Sequence, residues 1–163
     1  MITEEQRGAV LTAVDRAVEA AVDAREAMAA SMRVIADSLP HYNWVGIYLL
    51  NGAMLELGPY VGAATDHTRI PVGRGVCGTA VAENANQVIA DVRSLDNYLA
   101  CSVETRSEIV VLIRHPKSGA ILGQIDADGH AVGAFDASDE ALLEAIAGRL
   151  APVLAAAAAE TGA

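Results

Sequence analysis

Two strand–turn–strand patterns constrain the fold of this chain more than any other feature of its sequence. The first joins Asn43–Leu50 to Met54–Pro59 through an Asn-Gly dipeptide, which suits the positive φ angles of a two-residue hairpin turn. The second runs from Ile109 through a turn at Lys117–Gly119 to Asp128. Because strands joined by hairpins pair antiparallel, the sequence predicts an antiparallel sheet.

Helical periodicity marks the two ends of the chain. From Glu4 to Leu39, apolar residues recur at helical spacing, which predicts one long helix or two consecutive helices stopped by Pro40. A further helix is predicted from Asp136, with Ser138 as the N-cap candidate and carboxylates in the first turn. The expected fold class is therefore α+β, with the N- and C-terminal helices packed together on one face of the sheet.

Shorter elements connect these parts. Thr79 to Glu83 has the pattern of a short helix, Gln87–Asp91 that of a short strand, and a polar loop with a helical turn follows. With 163 residues, the chain has the length of one domain with a substantial core. We expect a helical region over 1–40, the sheet and its pocket loops over 41–135, and the last helix over 136–163.

Composition narrows the classes of partner. The chain is 53% hydrophobic and has a formal net charge of −10, which disfavours binding to nucleic acid or to an anionic membrane. No uninterrupted apolar stretch reaches the ~18 residues of a membrane span, and the first residues lack a basic start followed by an apolar run. These features favour a cytoplasmic protein that acts on small molecules or proteins.

The stretch RIPVGRGVCGTAVAEN, residues 69–84, places Cys77 among glycines just ahead of the expected short helix. It matches neither the P-loop nor the dinucleotide-binding fingerprint, so we expect the glycines to let the backbone approach a ligand closely. The other cysteine, Cys101, lies too far along the chain for a zinc-binding pattern. Asp66 and His67 form a possible ligand pair, but a lone loop histidine is more often solvated. No metal site and no cofactor are expected.

Three carboxylates flank the second hairpin. Glu108 opens an apolar run, while Asp126 and Asp128 lie two apart on a strand and therefore share one face. If these aspartates are buried, burial and mutual repulsion raise the pKa of at least one carboxyl group, which could then donate a proton near neutral pH. If they lie at an exposed strand end, they are ordinary surface charges. The residues alone leave both interpretations open.

Several motifs occur in an order that resembles a known family. NWVGIY, RIPVGRGVCGTAV, the LAC segment, SEIVV and LGQIDAD are similar to motifs of the free methionine-R-sulfoxide reductases, which are single GAF domains. The likeness covers roughly 43–150. It implies a GAF fold and reduction of free methionine-R-sulfoxide to methionine.

The resemblance also implies roles for particular residues. Cys101 matches the nucleophile, and Glu108, Asp126 and Asp128 match the acids that protonate the sulfoxide oxygen. The oxidised cysteine becomes a sulfenic acid, which a second thiol converts to a disulfide that thioredoxin reduces. Cys77 matches a family cysteine beside the pocket.

Trp44 and Tyr48 match the aromatic residues of the family's pocket. His67 stands where the family usually has its resolving cysteine, and Tyr98 and Ser102 replace a histidine and an aspartate around the nucleophile. Either Cys77 or an external thiol would then resolve oxidised Cys101. The alternative is a GAF ligand-binding or sensor module without efficient turnover. The alanine- and valine-rich faces of the terminal helices could also form a homodimer seam.

Overall fold

The computed structural model describes residues 1–98 and 103–161. In this part of the chain, the elements are α1 (Glu4–Ala20), α2 (Ala24–Ser38), β1 (Trp44–Asn51), β2 (Met54–Val61), β3 (Arg69–Pro71), α3 (Gly75–Glu83), β4 (Gln87–Ile89), a 3-10 turn (Val92–Ser94), β5 (Ser107–Arg114), β6 (Ile121–Gly129) and α4 (Ala137–Thr161). The strands form one antiparallel sheet in the order β3-β2-β1-β6-β5-β4. The predicted α+β class and both hairpins are confirmed.

The N-terminal helical region consists of two consecutive helices. Thr3 caps α1 through a reciprocal capping box with Gln6, and the Asp23 side chain accepts a hydrogen bond from the backbone N–H of Glu26 to begin α2. Residues 21–23 therefore separate the two helices.

The start of α4 corrects one detail of the sequence interpretation. Asp136 is the residue that caps this helix, because its carboxylate accepts hydrogen bonds from the backbone N–H groups of Ser138 and Asp139. Asp139 reciprocates by accepting from the backbone N–H of Asp136. Ser138 lies inside the first turn instead, so its assignment as the N-cap was wrong.

Helices α2 and α4 pack against one face of the sheet and α1 packs on these two helices, so the N- and C-terminal helices lie together on one side, as expected. Alternate strand residues point into this layer and join the helix side chains in one core. The strand residues of this core include Val45 and Ile47 on β1, Ile109, Val111 and Ile113 on β5, and Ile125 and Ala127 on β6. The remaining alternate residues of each strand therefore face the other side of the sheet, which α3 covers.

Helix α4 is long and apolar enough, by length and composition alone, to cross a membrane. In the fold, however, its residues Leu142, Leu143 and Ile146 are completely buried against the sheet. The apolar residues of this part of the helix therefore contribute to the protein core.

Candidate functional site

The candidate site lies on the sheet face opposite the three packed helices. Its floor consists of every second residue of the central strands β1, β6 and β5. Asp126 on β6 is directly opposite Gly46 on β1 and Val110 on β5, and Asp128 is opposite Trp44 and Glu108. Hairpin connection and strand pairing thus bring the three predicted acids onto one small area of the sheet.

Helix α3 covers this area and supplies Cys77. The thiol does not lie in a loop ahead of a helix, as the sequence suggested, because α3 begins two residues before Cys77. Gly75 has a φ of +64°, a conformation that favours glycine, and it forms the turn into the helix. Gly78 lies so close to Pro71 that an added Cβ would be 2.6 Å from its carbonyl oxygen. These two glycines therefore allow the turn into α3 and its tight packing.

A buried amide fixes the backbone of Cys77. The Gln124 side-chain nitrogen donates a hydrogen bond to the Cys77 carbonyl oxygen at 3.0 Å, and Gln124 is completely buried. Gln124 precedes Asp126 by two positions and shares its face of β6. Gln124 is not among the site residues predicted from the sequence, although the alternation that pairs the two aspartates also places it on their face.

Cys77, Glu108 and Asp126 form a compact buried cluster. The Cys77 thiol donates a hydrogen bond to Glu108 Oε1 at 3.8 Å, and one ligand atom from each of the three residues lies within 4.8 Å of the other two. The exposed fractions are 4% for Cys77, 3% for Glu108, 1% for Asp126 and 2% for Asp128. Of the two interpretations left open by the sequence, the buried one is correct.

Burial changes the acidity of this cluster. Removal from water raises the pKa of Glu108 well above its ordinary 4.5, and the nearby Asp126 and Asp128 raise it further. Removal from water also raises the pKa of Asp126, although its contacts with Glu108 and Cys77 partly oppose this effect. The Glu108–Asp126 pair therefore holds a proton at pH values at which free carboxyl groups are ionised.

The two predicted aromatic residues lie on the same face. The Trp44 and Tyr48 rings stack with centroids 6.5 Å apart, and the Trp44 indole N–H donates a hydrogen bond to the Ala63 carbonyl oxygen. The Tyr48 hydroxyl donates to the His67 carbonyl oxygen at 2.7 Å. The Trp44 ring also crosses Gly46, where an added Cβ would be only 2.7 Å from it. Both aromatic side chains are thus held rigidly over the sheet.

A small cavity opens between the aromatic residues and the cluster. Its volume is about 10 Å³, room for about one water molecule. The lining residues are Tyr48, His67, Ile70, Arg74, Gly75, Val76, Cys77, Glu108 and Asp126. His67 is half-buried at this cavity, so it is not simply a solvated loop residue. Arg74, which sequence analysis did not select, is an exposed cationic residue at the same cavity.

A second cavity of about 290 Å³ adjoins the first, and the two share Gly75 and Val76 as a common wall. Leu95, Asp96 and Asn97 line its other side. The Asn97 side chain ties this segment to α3 by accepting a hydrogen bond from the Gly75 N–H and donating one to the Gly73 carbonyl oxygen. The segment that leads towards Cys101 is therefore attached to the rim of the candidate site.

Cys101, the predicted nucleophile, lies outside the described residues, as does Ser102. Tyr98, three positions before Cys101, packs against the same apolar cluster as Trp44, Tyr48 and Cys77. Apart from Cys101, the structure brings the predicted site residues to one face of the sheet. Trp44 and Asp128 line a neighbouring cavity of about 90 Å³ and the others line the small cavity.

The chain is similar in sequence and structure to proteins of the family that its motifs resemble. Residues 15–154 match the GAF domain family. The chain is 41% identical over 128 residues to the free methionine-R-sulfoxide reductase of Escherichia coli, covering 78% of this chain and 76% of that protein. The free methionine-R-sulfoxide reductase of Neisseria meningitidis, solved in complex with its substrate, superposes with a TM-score of 0.86 at 32% identity, covering 96% and 93% of the two chains.

A third similar protein is the type II free methionine-R-sulfoxide reductase of Thermoplasma acidophilum. It superposes with a TM-score of 0.77 at 41% identity and covers 80% of this chain and 92% of its own. The family suggested by the sequence motifs is thereby confirmed. The chain belongs to the free methionine-R-sulfoxide reductase family of GAF domains.

Proposed function

We propose that this protein reduces free methionine-R-sulfoxide to methionine, with Cys101 as nucleophile and the Glu108–Asp126 pair as proton donor. The observation that carries the proposal is the position of this pair, buried beside a thiol at a cavity under Tyr48. A pocket that only binds a zwitterion could use one carboxylate to pair with the ammonium group, but a buried carboxyl pair that holds a proton beside a thiol costs free energy and adds nothing to that binding. Proton donation to a leaving oxygen gives these groups a chemical purpose.

In the proposed reaction, the Cys101 thiolate attacks the sulfoxide sulfur and forms a sulfur–sulfur bond, while the Glu108–Asp126 pair donates a proton to the sulfoxide oxygen. The resulting hydroxyl group then moves to the Cys101 sulfur. The sulfur–oxygen bond of the substrate and the new sulfur–sulfur bond break in this step, so methionine leaves and Cys101 becomes a sulfenic acid. A second thiol then condenses with that sulfenic acid, releasing water and forming a disulfide. The substrate is thus reduced by two electrons, and two thiols are oxidised.

Substrate binding requires the cavity to enlarge. A volume of about 10 Å³ is far below the roughly 300–1,000 Å³ of typical ligand pockets. The adjoining 290 Å³ cavity shares Gly75 and Val76, at the start of α3, with the small cavity. Movement of these two residues would join the cavities, with the sulfoxide beside the acids and the amino-acid end beside Asp96 and Arg74.

Arg74 suits recognition of a free amino acid. Arg74 lines the cavity, and its positively charged guanidinium group makes no ion pair with the described residues. A guanidinium binds a carboxylate through paired, charge-assisted hydrogen bonds. A peptide-bound methionine sulfoxide lacks this carboxylate, so Arg74 would favour the free amino acid.

The proposal also covers how oxidised Cys101 is reduced again and where the protein acts. We expect thioredoxin or another thiol reductant to restore Cys101, and we expect the protein to act in the cytoplasm, where such reductants are abundant.

A homodimer would bury the alanine-rich end of α4 beside Val22, which is 86% exposed. Light scattering of the purified chain tests the dimer, and a monomer at all practical concentrations would exclude it.

A thioredoxin-coupled assay with separate R and S epimers of free methionine sulfoxide tests the function. We expect consumption of the R epimer, and loss of it in Cys101→Ser. The alternative sensor module would bind methionine sulfoxide without consuming it, even in a single turnover of the fully reduced protein. That result would refute the reductase proposal.

A further inference from the structure

The cluster of Cys77, Glu108 and Asp126 has the composition of a metal-binding site. One thiol sulfur and one oxygen from each of two carboxyl groups lie within 4.8 Å of one another. All three side chains are buried, and they come from three separate elements, α3, β5 and β6. The framework therefore holds them together without a metal ion.

The distances suit a tetrahedral ion with sulfur and oxygen ligands. Zinc binds thiolate at about 2.3 Å and carboxylate at about 2.0–2.2 Å, which places a sulfur and an oxygen ligand about 3.6 Å apart. The observed separation between Cys77 Sγ and Glu108 Oε1 is 3.8 Å. Small side-chain rotations would bring three ligands into place, and the fourth position would face the cavity.

Asp126 supplies an independent indication of a ligand. Within residues 1–98 and 103–161, no N–H group donates to either of its carboxylate oxygens, and the side chains beside them, Glu108 and Cys77, are groups whose protons a metal ion can displace. The side chain is 1% exposed and lines a cavity of about 10 Å³, which has room for one water molecule or one metal ion. A buried carboxylate of this kind is stabilised by a cation.

We propose that Cys77, Glu108 and Asp126 bind a divalent zinc ion that blocks the small cavity. The thiolate ligand favours zinc over magnesium or calcium, which prefer oxygen ligands alone. On binding, Cys77 releases its thiol proton and the Glu108–Asp126 pair releases its proton to solvent, and the sulfur and both carboxylates then bond to zinc. No oxidation or reduction takes place in this step.

The consequence for catalysis rests on the proposed function. Zinc would occupy the space beside Glu108 and Asp126 in which the sulfoxide oxygen must accept its proton. Metal and substrate would then exclude each other, so zinc would be a reversible, competitive inhibitor that a chelator removes. This site is distinct from a zinc cofactor, because the proposed reduction needs no metal.

Binding is tested without substrate, so its outcome is independent of the reductase assay. Zinc chloride is titrated calorimetrically into reduced, metal-free protein in the absence of oxygen. We expect one zinc ion per chain, with the dissociation constant raised at least tenfold in Cys77→Ser and in Asp126→Asn. Asp128→Asn is the matched control, because it removes the same charge from the same strand face outside the cluster. We expect it to change affinity about threefold or less.

Cobalt binding identifies the sulfur ligand. A thiolate-to-cobalt charge-transfer band should appear in the protein and in Cys101→Ser and disappear in Cys77→Ser. Circular dichroism checks the fold of each variant, and Glu108→Gln replaces any variant that fails to fold. The proposal is wrong if Cys101→Ser abolishes binding while Cys77→Ser keeps it, if Asp126→Asn and Asp128→Asn behave alike, or if no zinc binds.

Discussion

Glu108 and Asp128 are directly paired across the antiparallel strands β5 and β6, and both are buried. Like charges at such positions repel each other, and here Asp126 adds a third carboxyl group on the same face. The pairing therefore favours a protonated Glu108, because neutralising one group removes part of the repulsion. Strand register, rather than any single residue, creates the acid that the proposed reaction requires.

Stability should fall as pH rises because of this arrangement. The raised pKa of Glu108 keeps its carboxyl protonated in the folded chain, whereas the unfolded chain loses that proton near the ordinary pKa of 4.5. The folded state thus binds more protons than the unfolded state. The stability that this difference contributes is fully present below pH 4.5 and is lost as the pH rises through the folded-state pKa of Glu108. Urea unfolding measures this effect. Between pH 5 and pH 8, the free energy of unfolding should decrease less in Glu108→Gln than in the unaltered chain.

The control for this pH dependence is Glu19→Gln, which changes an exposed glutamate on α1. We expect this variant to keep the pH dependence of the original protein. Equal pH dependence in Glu108→Gln and the unaltered chain would show that Glu108 has an ordinary pKa.

Loss of either proton donor should slow the chemical step. A positioned acid contributes about 10²–10⁴-fold to a rate, so Glu108→Gln or Asp126→Asn should lower kcat by a factor in this range. The double variant should lose little more than the slower single variant, because both carboxyl groups handle the same proton. Single-turnover kinetics measure this effect, and unchanged rates in both single variants would assign the pair a structural role.

Arg74→Ala should weaken substrate binding with a smaller effect on kcat. A hydrogen bond to a charged group contributes about 1.5–3 kcal/mol, which corresponds to an increase in KM of about tenfold or more. Arg74→Lys keeps the charge but not the paired geometry, and it should give an intermediate KM. Arg33→Ala, on the outer helical layer, is the matched control. An unchanged KM in Arg74→Ala would remove this residue from substrate recognition.

Oxidised Cys101 should persist as a sulfenic acid in the absence of an external thiol. Cys77 lies in α3 and is 4% exposed. Its thiol donates a hydrogen bond to Glu108, and its carbonyl oxygen accepts one from Gln124. These contacts oppose the movement that a disulfide would need, since its Cα atoms must come within about 4.4–6.8 Å. After one equivalent of substrate, dimedone should label Cys101 equally in the unaltered protein and in Cys77→Ser. A Cys77–Cys101 link found by mass spectrometry would contradict this expectation.

The sequence was sufficient to predict those features that depend on local spacing. Alternation along 121–128 correctly placed Asp126 and Asp128 on one face, and the Asn-Gly turn correctly indicated the first hairpin. Alternation does not say which face a helix covers, so burial of the acids became evident only in the fold. The glycines around Cys77 suggested a loop whose backbone approaches a ligand, whereas Gly75 begins a helix through its positive φ.

Other site residues gave too weak a local signal. Gln124 has no charge to attract notice, and its importance depends on a hydrogen bond to a residue 47 positions earlier. Arg74 is one arginine among several, and only the turn into α3 brings it to the cavity. Contacts between segments distant in the sequence place both residues at the site.

The alternation along β6 has a consequence for the tolerance of this strand to sequence change. Ile125 and Ala127 belong to the helix-side core, while Gln124 and Asp126 face α3 and the cavity. Replacements can therefore alter the reactive face and leave the core untouched, since neighbouring positions serve opposite sides. An inserted or deleted residue would exchange the two sets and force carboxyl groups under the helices. Strand length is thus more strictly constrained than strand composition, and new specificities can arise by substitution far more readily than by insertion.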